Sequence, residues 1–124
     1  MPKTFLLLGT INIFLCIALG AFGAHGLKHI LSVDMLTVFH TGVQYHFYHA
    51  ISLLVIGLLL FHFPKSRLIP ITGWLMIAGI FLFSFSLYAL SITGTRTLAM
   101  ITPFGGVSFL SAWGILTYAI WKEK

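Results

Sequence analysis

Four stretches of this chain are apolar over the length a helix needs to cross a lipid bilayer, and no other feature constrains the fold as strongly. A hydrocarbon core about 30 Å thick is spanned by about 20 helical residues. The stretches run from Thr4 to Ala24, Thr41 to Phe63, Ile71 to Ile92 and Pro103 to Trp121. Backbone groups facing lipid must be paired within their own segment. Runs this long therefore predict four transmembrane helices in an all-α membrane bundle, a single domain over residues 1–124. Composition agrees: charged residues are 7% of the chain, against about 25% in a soluble domain. That excludes a soluble globular domain and a disordered chain, and the single cysteine, Cys16, excludes a disulfide scaffold.

A short cationic start before an apolar run also describes a signal peptide. This run is long for one, and Ala21-Phe22-Gly23 is only a fair cleavage site. Cys16, followed by Ile17 deep in the run, does not suit lipoprotein attachment. An uncleaved first helix is expected.

The net charge of +5 could suggest nucleic acid, but Lys3, Lys28, Lys65, Arg67, Arg96, Lys122 and Lys124 all lie between or outside the apolar runs. So placed they anchor helices at the headgroups and form no stripe along which phosphates could bind. No nucleic-acid partner is expected. Four spans put Lys3, Lys65, Arg67, Lys122 and Lys124 on one side, with Lys28 and Arg96 on the other. The positive-inside rule then predicts both termini in the cytoplasm, with Trp74 and Trp121 near the cytoplasmic interface, and the expected location is the cell (inner) membrane, multi-pass.

Between the first two spans, Ser32 has the chemistry of an N-cap, and Asp34 falls where a helix dipole favours an anion. A helix from Val33 to Phe63 would measure roughly 46 Å. That exceeds the bilayer core, so a short interfacial helix is expected, bending into the second span near Gly42.

The predicted topology gathers polar side chains at one rim. His25 ends the first span, and the second begins with Gln44, Tyr45, His46, Tyr48 and His49. The third ends with Ser84, Ser86, Tyr88, Ser91 and Thr93, followed by Arg96; the fourth opens Thr102-Pro103-Phe104-Gly105-Gly106. His25, Tyr45, His49, Tyr88 and Arg96 are the candidate ligand-binding residues. Tyr45, His49 and Ser52 share a helical stripe, and His46 points about 100° away from Tyr45. An ionisable group at this depth is either functional or a neutral histidine bonded to a neighbouring hydroxyl or carbonyl. The structural reading is favoured, because no carboxylate accompanies the histidines.

Metal or haem would need more ligands. His46 and His49 are three residues apart, and His25 or His40 could add to them, yet no Asp or Glu lies within a span and no cysteine lies beside the cluster. No metal and no cofactor are expected. Small multidrug exporters of similar size depend on a membrane-embedded carboxylate; here the only acids, Asp34 and Glu123, lie outside the spans. Proton transfer by histidine keeps transport as a minor reading. Gly20 with Ala24, Ser108 with Ala112, Ala78-Gly79 and Gly105-Gly106 suit close helix contact, and Asn12 suits an interhelical hydrogen bond.

Four segments in order, Gly20-Ala21-Phe22-Gly23-Ala24-His25-Gly26-Leu27, Tyr45-His46-Phe47-Tyr48-His49-Ala50, Ser86-Leu87-Tyr88 and Thr102-Pro103-Phe104-Gly105-Gly106-Val107, carry a family resemblance. The chain resembles the domain-of-unknown-function 423 family, also called uncharacterised protein family 0382, over nearly its whole length. The resemblance implies a small multi-pass membrane protein with no established activity. His25, His49 and Tyr88 match its pattern; His46 stands where glutamine is common, and Phe85 where glycine is usual. The expected role is structural or accessory and non-enzymatic, through self-association or a larger membrane complex. The alternative is an amphiphile such as a quinone or lipid, bound in an outer-leaflet pocket.

Overall fold

A computed structural model describes residues 1–123; Lys124, counted above among the cytoplasmic cations, lies outside the described residues. Four long helices form: α1 (Pro2–His25), α2 (Val33–His62), α3 (Leu68–Thr93) and α4 (Thr102–Lys122). Each meets the requirement for spanning by length and apolarity. The described residues include no strand, so the fold is the all-α membrane bundle expected from the apolar runs.

The helix ends follow from local chemistry. Pro2 and Pro103 sit in first turns, where a missing N–H costs nothing. The Ser32 hydroxyl accepts from the Met35 N–H at 3.2 Å, with Asp34 in the first turn, as the sequence predicts. Ser66 does the same for Ile69 at 3.2 Å where α3 begins. α3 stops at Gly94, whose φ of +71° is open to glycine at little cost.

A short helical element does lie between the first two spans, the 3₁₀ turn Leu27–His29. The helix that begins at Val33 runs on through Gly42 into the second span and continues unbroken to His62. Phe39, in its second turn, packs against α1, where a Cβ on Gly23 would meet the ring at 2.6 Å. Gly42 is a contact point: a Cβ there would lie 2.9 Å from the Tyr88 ring and 3.2 Å from the Ser84 carbonyl oxygen. Its missing side chain lets α3 approach.

α1 packs along α2 and α4 along α3, while α2 and α3 meet at the centre. In their most apolar stretches the two central helices are 44% buried and the two flanking ones 22%. The outer faces of α1 and α4, with Phe14, Ile17, Phe104 and Leu110 exposed, are therefore the main lipid-facing surfaces. Phe5, Leu53, Ile56, Met76, Phe109 and Leu116 anchor the main core; Leu27, Phe39 and Tyr88 form a smaller one.

The small-residue contacts are partly redistributed. α1 buries Gly9, Asn12, Cys16 and Gly23, spaced by three, four and seven residues along one seam against α2, while Phe5 packs on Gly73 and Trp74 of α3. Gly20 is only half-buried and Ala24 is exposed, so that pair lies off the seam. Ser108 and Ala112 are buried as expected, and the Ser108 hydroxyl donates to the Leu75 carbonyl across α3 and α4 at 2.7 Å. Gly105 makes a close backbone approach: its Cβ would fall 2.4 Å from the Phe83 nitrogen. There α3 widens into a π-helical turn over Ile80–Phe85.

Candidate functional site

α2 presents its two buried histidines to different neighbours. His46 lies on the stripe of Phe39, Gly42 and Leu53, which faces the bundle interior. Tyr88 of α3 lies 2.8 Å from its Nδ1, and the Asn12 amide oxygen of α1 lies 2.9 Å from its Nε2. Only one arrangement of protons suits all three side chains. The Asn12 amide nitrogen donates to the Leu8 carbonyl at 2.8 Å, which leaves its oxygen as the acceptor toward His46. His46 must then donate from Nε2, so its bare Nδ1 accepts from the Tyr88 hydroxyl. A directional string of hydrogen bonds thus ties α3, α2 and α1 together, with His46 fully buried. Asn12 cannot relay a proton, so the string is a fastening and not a wire. Beside it the Cys16 thiol donates to the Val43 carbonyl at 3.2 Å.

His49 turns toward α4. The Trp113 indole donates to its Nε2 at 3.1 Å; because indole can only donate, that nitrogen carries no proton. Nδ1 therefore holds the ring proton and donates to the Tyr45 carbonyl at 2.7 Å. The ring also stacks on Phe109, centroids 3.4 Å apart and 8° from parallel. His46 and His49 thus adopt opposite tautomers.

This second cluster borders a cleft of about 530 Å³ between α2, α3 and α4, lined by Tyr45, Tyr48, His49, Phe83, Gly106, Phe109, Leu110 and Trp113. A smaller cavity of about 210 Å³ lies between α1 and α3, reached by Asn12 and otherwise lined by aliphatic side chains, Phe81 and Phe85. Phe83 lines the larger cleft, whereas Ile80, Phe81 and Phe85 of the same turn line the smaller cavity.

Of the five candidate ligand-binding residues, the structure brings Tyr45 and His49 together at the larger cleft. Tyr88 belongs to the polar string beyond α2. His25 ends α1 exposed, and Arg96 is exposed on the α3–α4 connection. Neither side chain bonds to another described residue. The angular separation of His46 from Tyr45 is as the helical period requires. Asn12 has the interhelical role expected of it, with His46 as the partner. Phe83, Phe109, Leu110 and Trp113 are the lining residues that sequence reasoning missed; Tyr48 belonged to the predicted polar rim without being a candidate. His46 could have been recognised as interior from its stripe; Trp113 carries no such signal. Among the described residues no three His, Cys, Asp or Glu side chains gather as a metal site would require.

The family described as "Protein of unknown function (DUF423)" matches residues 19–106. A membrane protein of Bacillus subtilis, described as UPF0382 membrane protein YwdK, is 48% identical over 97% of this chain and 98% of its own. UPF0382 membrane proteins of Haemophilus influenzae and Staphylococcus epidermidis are 40% and 42% identical, over 100% and 97% of this chain and 98% and 97% of theirs. No solved structure matches the chain. With the family model covering most of its length and relatives matching it end to end, the chain belongs to the DUF423 family of small multi-pass membrane proteins.

Proposed function

We propose that this protein is a structural or accessory component of the cell (inner) membrane, non-enzymatic, working through association of its helices with further copies or with a larger membrane complex. The observation that carries this reading is that all ring nitrogens of the two buried histidines are engaged inside the chain. Neither ring keeps a lone pair or proton for a substrate, so the deepest polar groups fasten helices and leave no general base. The flanking helices supply the surface for association. On α4, Ser111 and Gly114 are exposed, and nothing lies within 4 Å of where a Gly114 Cβ would be. Such bare backbone admits a neighbouring helix closely.

The orientation that accompanies this reading puts both termini in the cytoplasm, on the bias of loop cations. Photobleaching steps of a fluorescently tagged chain at low copy number in native membranes test the association. More than one copy per spot, reduced by Gly114→Leu, is the expected result. Single copies throughout, unchanged by that substitution and with no slower-diffusing complex, would remove the reading.

A further inference from the structure

The cleft between α2, α3 and α4 has a chemistry of its own, which the association reading does not use. Its volume of about 530 Å³ lies in the range of sites for small molecules, about 300–1,000 Å³. Six of its eight lining residues carry aromatic rings: Tyr45, Tyr48, His49, Phe83, Phe109 and Trp113. An acyl chain needs no such wall, since aliphatic side chains serve it as well; the smaller cavity against α1 has largely that lining. Aromatic rings reward a flat partner by stacking or edge contact.

Charge narrows the class further. No Lys, Arg, Asp or Glu lines the cleft, so a phosphate headgroup would find no counter-charge. The polar groups carried by its lining residues are few and neutral. The Tyr45 hydroxyl bonds to no other described residue, and Tyr48 accepts from the Gln44 amide at 2.7 Å, leaving its own proton to give. His49 is not free to bind. Held by Trp113 and the Tyr45 carbonyl and stacked on Phe109, it is a fixed part of the wall. A wall already ordered loses little entropy when a ligand meets it. Gly106 keeps the mouth open, for no atom lies within 4 Å of where its Cβ would stand.

We propose that this cleft binds a neutral, flat-ringed lipophile from the bilayer, a ring bearing carbonyl oxygens on an apolar tail, as in the quinone class. The ring lies against the aromatic wall, a carbonyl accepts from the tyrosine hydroxyls, and the tail leaves toward lipid. The proposal stands apart from self-association, since the cleft is complete within one chain.

The test uses the full chain in phosphatidylcholine nanodiscs, with Trp74→Phe and Trp121→Phe leaving Trp113 as the one tryptophan. A decyl-substituted benzoquinone is titrated as a quencher. The expected result is saturable quenching, weakened about tenfold or more by Gly106→Leu, which fills the mouth. Tyr45→Phe, which keeps the ring and loses one hydrogen bond, should weaken it about fivefold. It also serves if the leucine variant fails to fold. Decanol, with a tail and no ring, should not compete. Quenching that rises linearly and equally in the unaltered and variant chains would reflect partitioning alone and overturn the proposal. Displacement of the quinone by decanol, or native mass spectra showing retained phospholipid that the quinone does not replace, would overturn it too.

Discussion

Gly105 and Gly106 are adjacent in α4, yet alanine at the two positions should shift stability in opposite directions. A Cβ on Gly105 would sit 2.4 Å from the Phe83 nitrogen and 2.7 Å from the Leu82 carbonyl carbon. Ordinary contacts are about 3.5–4.0 Å, so α3 and α4 would have to part by about 1 Å. The atoms struck are backbone, within the π turn, and no side-chain rotation relieves them. Parting the helices also stretches the bond between the Ser86 and Thr102 hydroxyls, 2.6 Å, and that from Ser108 to the Leu75 carbonyl, 2.7 Å. Overpacking costs about 1–3 kcal/mol, and the helix preference of alanine over glycine returns about 1 kcal/mol. With the stretched bonds included, Gly105→Ala should lose about 2 kcal/mol. Gly106→Ala meets nothing within 4 Å and keeps the propensity gain, up to about 1 kcal/mol. Unfolding in mixed micelles with rising SDS, followed by circular dichroism, should separate the two by about 2–3 kcal/mol. Equal shifts, or a stabilised Gly105→Ala, would refute the close approach of α4 to the π turn.

Other substitutions probe the remaining contacts. His46→Ala strands the Asn12 oxygen and the Tyr88 hydroxyl away from water and should destabilise by about 2–4 kcal/mol in the same assay. His46→Gln, able both to donate and to accept, should recover more than half of that loss. The Ser84 hydroxyl is buried with no partner among the described residues, so Ser84→Ala should be neutral or stabilising by up to about 1 kcal/mol. Ser108→Ala should instead lose about 1 kcal/mol with its interhelical bond. Trp113→Phe removes the donor to His49, and at the midpoint of unfolding it should cost about 1 kcal/mol.

The spans were legible because long apolar runs have one solution in lipid, and the cap at Ser32 because its chemistry is local. Gly105-Gly106 was legible as a contact, though not that only the first glycine makes it. The bend expected near Gly42 rests on helix length against bilayer thickness alone, which carries no sign of the contact that Gly42 makes with Tyr88. Residue counting gives depth along a helix, and by depth alone the polar side chains form one group. The neighbours of each face depend instead on the order of helices around the bundle. That order is hard to read here, since α1 is apolar nearly all round and shows no preferred side. Hence depth puts Tyr45 and His49 with Tyr88, from which α2 itself separates them. The π turn leaves no mark in the Ile80–Phe85 run.

Nitrogen-15 NMR of the imidazoles in bilayers tests most directly the claim that the two buried histidines are fastened on opposite sides of α2. His46 should hold its single ring proton on Nε2 and His49 on Nδ1, and Tyr88→Phe should perturb only the former. A shared tautomer, or two rings exchanging freely with water, would contradict it.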